Sequence, residues 1–354
     1  MYFPIAGVYI PIAYLVGIGF AVGVCGGFWG MGGGWMVTPA LYALGVPMNI
    51  AVGTDLAHIV GKSLVATFRH FRFGNVSLKI ALMMVPGTMI GVEIGARIVE
   101  HLKALGQDQV ASVISVLYII LLGSLALFTF VESWRSKRIL DKERQKADAL
   151  GSPALTHRVE DRVTADIAEW AQKLRIPPMV SCHIAGIRQV SLWIIVFASV
   201  ITGVLAGLLG VGGGFLRMPV LVYILGCPTH VAVGTDLFEI IVSGAYGTFT
   251  HGLKGNVDVV MAVIMLLGAA VGAQVGTFAT RYVQGTQVRS LFGAGILVAA
   301  AAVIAKTYLR MPTLAIVLIL TMAAGMALLI IGYLIRGILR GVQPQREDAS
   351  QDAE

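Results

Sequence analysis

The chain contains the same glycine-rich pattern twice, and this repeat limits its possible folds more than any other feature. The pattern GxxGxGGG spans residues 27–34 and recurs 180 residues later at 207–214. Each copy is followed by a proline and then by the sequence AVGTDL, at 51–56 and 232–237, where the offset is 181. Two similar halves, each interrupted by glycines, are typical of transporters that bind their substrate between the repeats.

The composition identifies the class of protein. Apolar residues make up 57% of the 354 residues and charged residues only 13%. Soluble domains have about a quarter of their residues charged, so we predict an integral membrane protein whose surroundings are the lipid bilayer. The formal net charge is +7, but the basic residues lie at the ends of apolar segments, as the positive-inside rule expects. We therefore predict no nucleic-acid partner.

The apolar segments predict an all-α fold, a polytopic transmembrane helical bundle. Most of them approach the ~20 residues that a spanning helix needs, but 35–45 and 215–225 are about half that length. We interpret these two as broken or half-length helices. The segments lie at 6–25, 35–45, 50–68, 78–99, 110–131, 190–209, 215–225, 229–249, 258–280, 288–305 and 312–335.

The number of segments predicts how the two repeats are related. Five segments per half is an odd number, so the second repeat would enter the membrane from the opposite side, which gives inverted-topology repeats. If the short segments were re-entrant, the number would be even and the repeats would run parallel. We expect inversion. The positive-inside rule then places the charged loop and the C-terminus in the cytoplasm.

The charged loop separates the two repeats. Residues 132–189 hold 11 of the 26 Lys and Arg and 8 of the 19 Asp and Glu. They predict a charged helical continuation through Leu150 and then an amphipathic helix with apolar residues every three or four positions. We predict a first repeat at 1–131, a cytoplasmic loop at 132–189, a second repeat at 190–305, an extra transmembrane helix at 306–342 and a disordered tail at 343–354.

The glycine clusters are candidates for an anion site. They lack the Lys and Ser or Thr of a phosphate-binding loop, which argues against nucleotide binding. Glycine permits positive φ, so backbone N–H groups can converge on an anion where a helix is interrupted. The alternative is close helix packing, which we expect for Gly87, Gly91, Gly95, Gly268, Gly272 and Gly276. The candidate site glycines are Gly30, Gly32, Gly33, Gly34, Gly210, Gly212, Gly213 and Gly214.

Two Thr-Asp pairs lie close in sequence to the glycine clusters. They are Thr54 with Asp55 and Thr235 with Asp236. Ionisable groups at membrane depth are costly and tend to be functional, so we include all four residues in the candidate site. The alternative is that they cap the N-termini of the helices that follow.

Further polar residues extend each candidate site. His58 and Lys62 follow Asp55 at helical spacing, and Glu239 occupies the position in the second repeat that His58 occupies in the first. An anion in a poorly solvated site needs a cation or aligned N–H donors, so Lys62, His58 and Arg217 are candidate contacts. The alternatives are an ion pair between Lys62 and Asp55, and an Arg217 side chain that reaches the membrane surface.

The three cysteines carry no predicted chemistry. Cys25, Cys182 and Cys227 form no CxxC pair, so neither a metal site nor a disulfide framework is indicated. We predict no metal and no cofactor.

These motifs together resemble a known family. The duplicated GxxGxGGG, the prolines at Pro39 and Pro219, the AVGTDL sequences and a later Gly-Asn-Val turn are similar to the TauE/SafE family of sulfite exporters. The resemblance is strongest over residues 20–100 and 200–282. It implies a multi-pass transporter of the inner (plasma) membrane whose substrates are sulfite, sulfonates and related small anions.

Three function classes are compared, and the least favoured is a thiol electron carrier or assembly factor in the membrane, because the apolar segments contain no paired cysteines. The first is a secondary transporter, not an enzyme, that binds a small anion between the glycine breaks; a coupling proton or cation and a homodimer are compatible with it. The second is an intramembrane hydrolase with Asp55 and Asp236 as a carboxylate pair that shares a proton. The known intramembrane protease signatures GxGD and GxSG are missing from the sequence, so we favour the transporter, or another small-anion permease of the same fold.

Overall fold

The computed structural model describes residues 1–29, 34–72, 74–150, 176–182, 184–279 and 285–339. In the first repeat the helices are α1 Ile12–Trp29, α2 Gly34–Ala43, α3 Met48–Arg72, α4 Leu78–Leu105 and α5 Gln107–Leu150. In the second half they are α6 Leu192–Leu209, α7 Gly214–Pro219, α8 Thr229–Leu253, α9 Val259–Ala279, α10 Gly285–Thr307 and α11 Pro312–Leu339.

Strands play a minor part in the described residues. Two antiparallel hairpins are present, β1 Tyr2–Phe3 with β2 Val8–Tyr9 and β3 Met179–Cys182 with β4 Ile187–Ser191. The predicted all-α bundle is confirmed. The predicted amphipathic helix of the charged loop and the predicted tail at 343–354 lie outside the described residues.

Six helices of the described chain are long and apolar enough to cross a membrane. They are α1, α4, the part of α5 up to Val131, α6, α9 and α11. Helices α3 and α8 have 25 residues each but carry buried polar and charged side chains. These two helices pack against each other, and they bring the ionisable residues into the interior of the bundle.

The predicted broken elements are confirmed. Helix α2 has ten residues, and α7 has six residues followed directly by a π-helical turn at Val220–Ile224. Pro39 lies inside α2, and Pro219 ends α7. Proline has no N–H to donate to the preceding turn, which explains why the regular helical pattern changes directly after Pro219.

The predicted inversion of the repeats is also confirmed. Helices α3 and α8 hold equivalent positions in the two repeats, and they run antiparallel along their whole contact. Gly53, near the start of α3, packs on the backbone of Asn256, beyond the end of α8; Gly234, near the start of α8, packs on Asn75, beyond the end of α3. Equivalent helices that run antiparallel are related by a two-fold axis perpendicular to them. The parallel alternative is therefore wrong.

Small residues let the outer helices pair closely across the two repeats. Helix α1 packs on α9 and α4 packs on α6. A Cβ placed at Gly23 would lie 2.4 Å from the carbonyl oxygen of Ala269, and one at Gly272 would lie 2.1 Å from that of Phe20. The packing role that we predicted is thus confirmed for Gly87, Gly91, Gly95, Gly268, Gly272 and Gly276, where every added Cβ would come within 3.0 Å of the facing helix.

We expect Gly23→Ala to destabilise the protein by about 1–3 kcal/mol, because an added methyl group forces apart two backbones that cannot yield locally. Gly17→Ala in the same helix is the control, since a Cβ at Gly17 meets nothing within 4 Å. The measurement is unfolding in detergent, with both variants compared to the wild type. Equal losses for both variants would show that the contact between α1 and α9 contributes little.

Candidate functional site

The Thr-Asp pairs lie inside helices rather than at their ends. Helix α3 begins six residues before Thr54, and α8 begins six residues before Thr235. The capping alternative is therefore wrong for their own helices. Instead, the Thr54 hydroxyl accepts a hydrogen bond from the N–H of Asp258 at 2.9 Å, and the Thr235 hydroxyl accepts one from the N–H of Ser77 at 3.0 Å. Each threonine thus holds the start of the fourth helix of the opposite repeat.

The first-repeat cluster centres on Asp55, which is fully buried. Its Oδ2 accepts two hydrogen bonds from Thr38 of α2, one from the N–H at 3.1 Å and one from the hydroxyl at 2.8 Å. Its Oδ1 lies 3.9 Å from Nδ1 of His58. The carboxylate therefore fixes the half-length helix α2 against α3, and one of its oxygens stays without a hydrogen bond in the described chain.

Lys62 is the unusual member of this cluster. Its side chain is only 2% exposed, and its Nζ has no hydrogen-bond acceptor among the described residues. Its electrostatic neighbours are Asp55 and Cys25, but no ion pair with Asp55 within 4 Å is found in the described residues, contrary to the alternative above. Neither ring nitrogen of His58 has a hydrogen-bond partner there. A buried ammonium without a hydrogen-bond partner is costly, which keeps Lys62 a candidate contact for an anion.

The second-repeat cluster is paired much more completely. Arg217 is 0% exposed, so its side chain does not reach the membrane surface, and that alternative is wrong. Its Nη1 lies 2.9 Å from Oδ1 of Asp236 and also pairs with Oε2 of Glu239. Oε2 of Glu239 accepts a further hydrogen bond from Ser243 at 3.0 Å. Arg217 thus joins α7 to two carboxylates of α8.

The second glycine break places backbone donors beside this cluster. Gly210, Gly212 and Gly213 have φ of 75°, 67° and 75°, a region that favours glycine. The N–H groups of Val211, Gly212 and Gly213 are buried and have no acceptor among the described residues. Gly214 begins α7 and is also buried. Successive N–H groups in such a turn form an anion-binding concavity.

The two breaks meet inside the bundle. Gly34 opens α2, and a Cβ placed there would lie 2.7 Å from Cα of Val211 in the second break. Gly30, Gly32 and Gly33 lie outside the described residues. Gly34, the described glycine that opens α2, therefore lies against the second break.

One apolar side chain lies between the breaks. A Cβ at Gly34 would be 3.0 Å from Cδ1 of Ile59, and a Cβ at Gly212 would be 3.1 Å from the same atom. Ile59 is fully buried. The sequence did not predict a role for Ile59, because an apolar residue within an apolar segment cannot be distinguished from an ordinary packing residue. The available signal was its place one helical turn after Asp55 and its match to Ile240 in the repeat.

The two aspartates lie far apart. Gly234, two residues before Asp236, packs against His70, which is 15 residues beyond Asp55 on α3. Because α8 runs antiparallel to α3, Asp236 lies level with a position about 13 residues beyond Asp55, which at 1.5 Å per residue corresponds to about 20 Å. Two carboxylates share a proton only at hydrogen-bond distance, so the carboxylate pair of the hydrolase alternative does not form. Among the described residues, no group of three His, Cys, Asp or Glu side chains could hold a metal.

Comparison with known proteins gives a family match over most of the chain. The family described as sulfite exporter TauE/SafE matches residues 15–303. The probable membrane transporter protein YunE of Bacillus subtilis is 27% identical over 76% of this chain and 89% of its own. YjnA of the same organism is 22% identical over 73% and 87%. The probable membrane transporter protein MJ0441 of Methanocaldococcus jannaschii is 26% identical over 58% and 60%.

No solved structure matches the chain. The family match covers most of the sequence, including both glycine breaks and both Thr-Asp pairs. The relatives are named probable membrane transporter proteins, and the six apolar helices described above fit a multi-pass membrane protein. The chain therefore belongs to the TauE/SafE family, and it is a membrane transporter rather than an enzyme.

Proposed function

We propose that this protein is a secondary transporter that exports small sulfur-containing anions, such as sulfite or organosulfonates, across the plasma membrane. The observation that carries the proposal is the set of buried N–H groups of Val211, Gly212 and Gly213, which have no acceptor among the described residues. Unsatisfied donors at membrane depth are costly. An oxyanion that accepts their hydrogen bonds would remove this cost.

The chemistry of the substrate class suits these donors. Sulfite and sulfonates present three oxygen atoms on one sulfur, so one anion can accept several converging N–H bonds. The unpaired ammonium of Lys62 on α3 supplies a positive charge that no described side chain neutralises at close range. Preorganised donors and a cation in a poorly solvated site bind an anion more strongly than they would in water. The name of the matching family supports sulfur oxyanions as the first candidates.

The inverted repeats supply the route for transport. A site between inverted repeats can face either side of the membrane when one repeat rocks against the other. The threonine hydrogen bonds to Asp258 and Ser77 join the repeats at both ends of the α3–α8 pair. We infer that they break and reform alternately during the cycle. The sequence has no nucleotide-binding motif, so a gradient of the substrate or of a coupled ion drives the flux. The charged loop and the C-terminus then face the cytoplasm.

The test is flux of labelled sulfite and of a sulfonate in proteoliposomes. We expect Gly212→Ala to lower the flux at least tenfold, because alanine disfavours the positive φ of Gly212 and its Cβ would press on Ile59. Gly255→Ala is the matched control: Gly255 also has a φ of 70°, but a Cβ there meets nothing within 4 Å. The proposal would be contradicted if the wild-type protein transported neither anion, or if Gly212→Ala and Gly255→Ala gave equal flux.

A further inference from the structure

The side chain of Ile59 packs against three glycines from different parts of the fold. A Cβ at Gly34 of α2, at Gly212 of the second break or at Gly244 of α8 would lie within 3.5 Å of Ile59. The contacting atom is Cδ1 for the first two and Cγ2 for the third. Ile59 is thereby held between both repeats, although it belongs to α3 of the first.

The position of Ile59 opposes the passage of an anion. Its Cδ1 occupies the space between Gly34 and Gly212, next to the N–H groups that would hold the substrate. A charged species crosses an apolar constriction only at the cost of its hydration. An anion that moves from one side of the breaks to the other must therefore displace this side chain. Hydrophobic constrictions act as gates in other membrane proteins.

The equivalent residue of the second repeat supports a gate. Ile240 corresponds to Ile59 at the offset of 181, and its Cγ2 would lie 3.6 Å from a Cβ at Gly212. The two isoleucines thus approach the same break from α3 and α8. At the position that matches Gly244, the first repeat has Ser63, so the space around the two isoleucines is not identical. Ile59 has the closer contact with the break.

We propose that Ile59 is the gate between the two glycine breaks and that its size sets which anions pass. This inference rests on the proposed transport of small anions and adds the residue that controls their passage. The role of Ile59 is to close the path when the site is empty and to limit the width of the guest when the site is loaded.

Ile59→Val tests the gate with the smallest possible change, since it deletes Cδ1, the atom that contacts both breaks. We expect flux of sulfite to rise roughly fourfold to tenfold, the effect of about one buried methyl group on a barrier. Flux of a bulky aryl sulfonate is expected to rise more than that of sulfite. Ile195→Val is the control, because Ile195 is equally buried but lies in a separate apolar cluster.

Amide hydrogen exchange gives a readout that does not depend on transport. An open gate lets water reach the break, so we expect exchange at 211–213 to be faster in Ile59→Val than in Ile195→Val. The proposed gate would be wrong if Ile59→Val and Ile195→Val showed the same anion flux, the same preference for anion size and the same amide exchange. If the wild-type protein transports neither anion but amide exchange at 211–213 is faster in Ile59→Val, the proposed function is wrong. Ile59 is then a gate for a different substrate. If exchange does not respond either, both fail.

Discussion

Replacing Lys62 by methionine is expected to raise the stability of the protein while it lowers the anion flux by about 10- to 100-fold. Lys62 is buried, and its ammonium has no hydrogen-bond partner among the described residues. Methionine has a similar length and no charge, so the substitution removes a desolvation cost without opening a large cavity. The flux falls because a hydrogen bond to a charged group is worth about 1.5–3 kcal/mol, and each 1.4 kcal/mol is about tenfold.

Lys79→Met is the matched control for Lys62→Met. Lys79 donates to the carbonyl of Ser181 at 2.7 Å from an exposed position, so its replacement should leave both unfolding and flux nearly unchanged. The two measurements are unfolding in detergent and initial flux in proteoliposomes. A Lys62→Met protein that unfolds more easily and transports normally would assign Lys62 to a structural interaction with Asp55. The proposed role in anion binding would then be wrong.

The helices and the relation between the repeats could be predicted because both follow from local sequence. Apolar segments have lengths that a membrane fixes, and a break near 30 or 210 follows from consecutive glycines. The odd number of segments gave the inversion, and the antiparallel packing of α3 on α8 agrees with it. Hydropathy did not predict that α3 and α8 lie at the centre of the bundle. Their buried polar residues distinguish them from the other helices.

The contacts within the candidate site could not be predicted in the same way. The partners of Thr54 and Thr235 lie 204 and 158 residues away, and no periodicity in one repeat points to the other. The pairing of Arg217 with Asp236 and Glu239 depends on how far α7 turns after three glycines with positive φ. Sequence spacing suggested a Lys62–Asp55 pair, but the carboxylate of Asp55 is held instead by Thr38 of α2.

Arg217 and Lys62 carry the same charge, but we expect their removal to act on stability in opposite directions. Arg217→Met leaves Asp236 and Glu239 buried without their common partner. Breaking a buried ion pair on one side typically costs about 3–5 kcal/mol, because an uncompensated charge remains. Arg217→Met should therefore unfold more easily in detergent and also lose flux in proteoliposomes. Lys62→Met should lose flux without losing stability.

A triple variant separates the pairing of Arg217 from its position beside the break. In Arg217→Met with Asp236→Asn and Glu239→Gln, no unpaired charge remains, so most of the lost stability should return. Flux should stay low, because the guanidinium that contacts the Gly212 carbonyl at 3.4 Å no longer holds the break in shape. A triple variant that regains flux along with stability would show that Arg217 only neutralises two carboxylates, and that the backbone donors of 211–213 keep their arrangement without it.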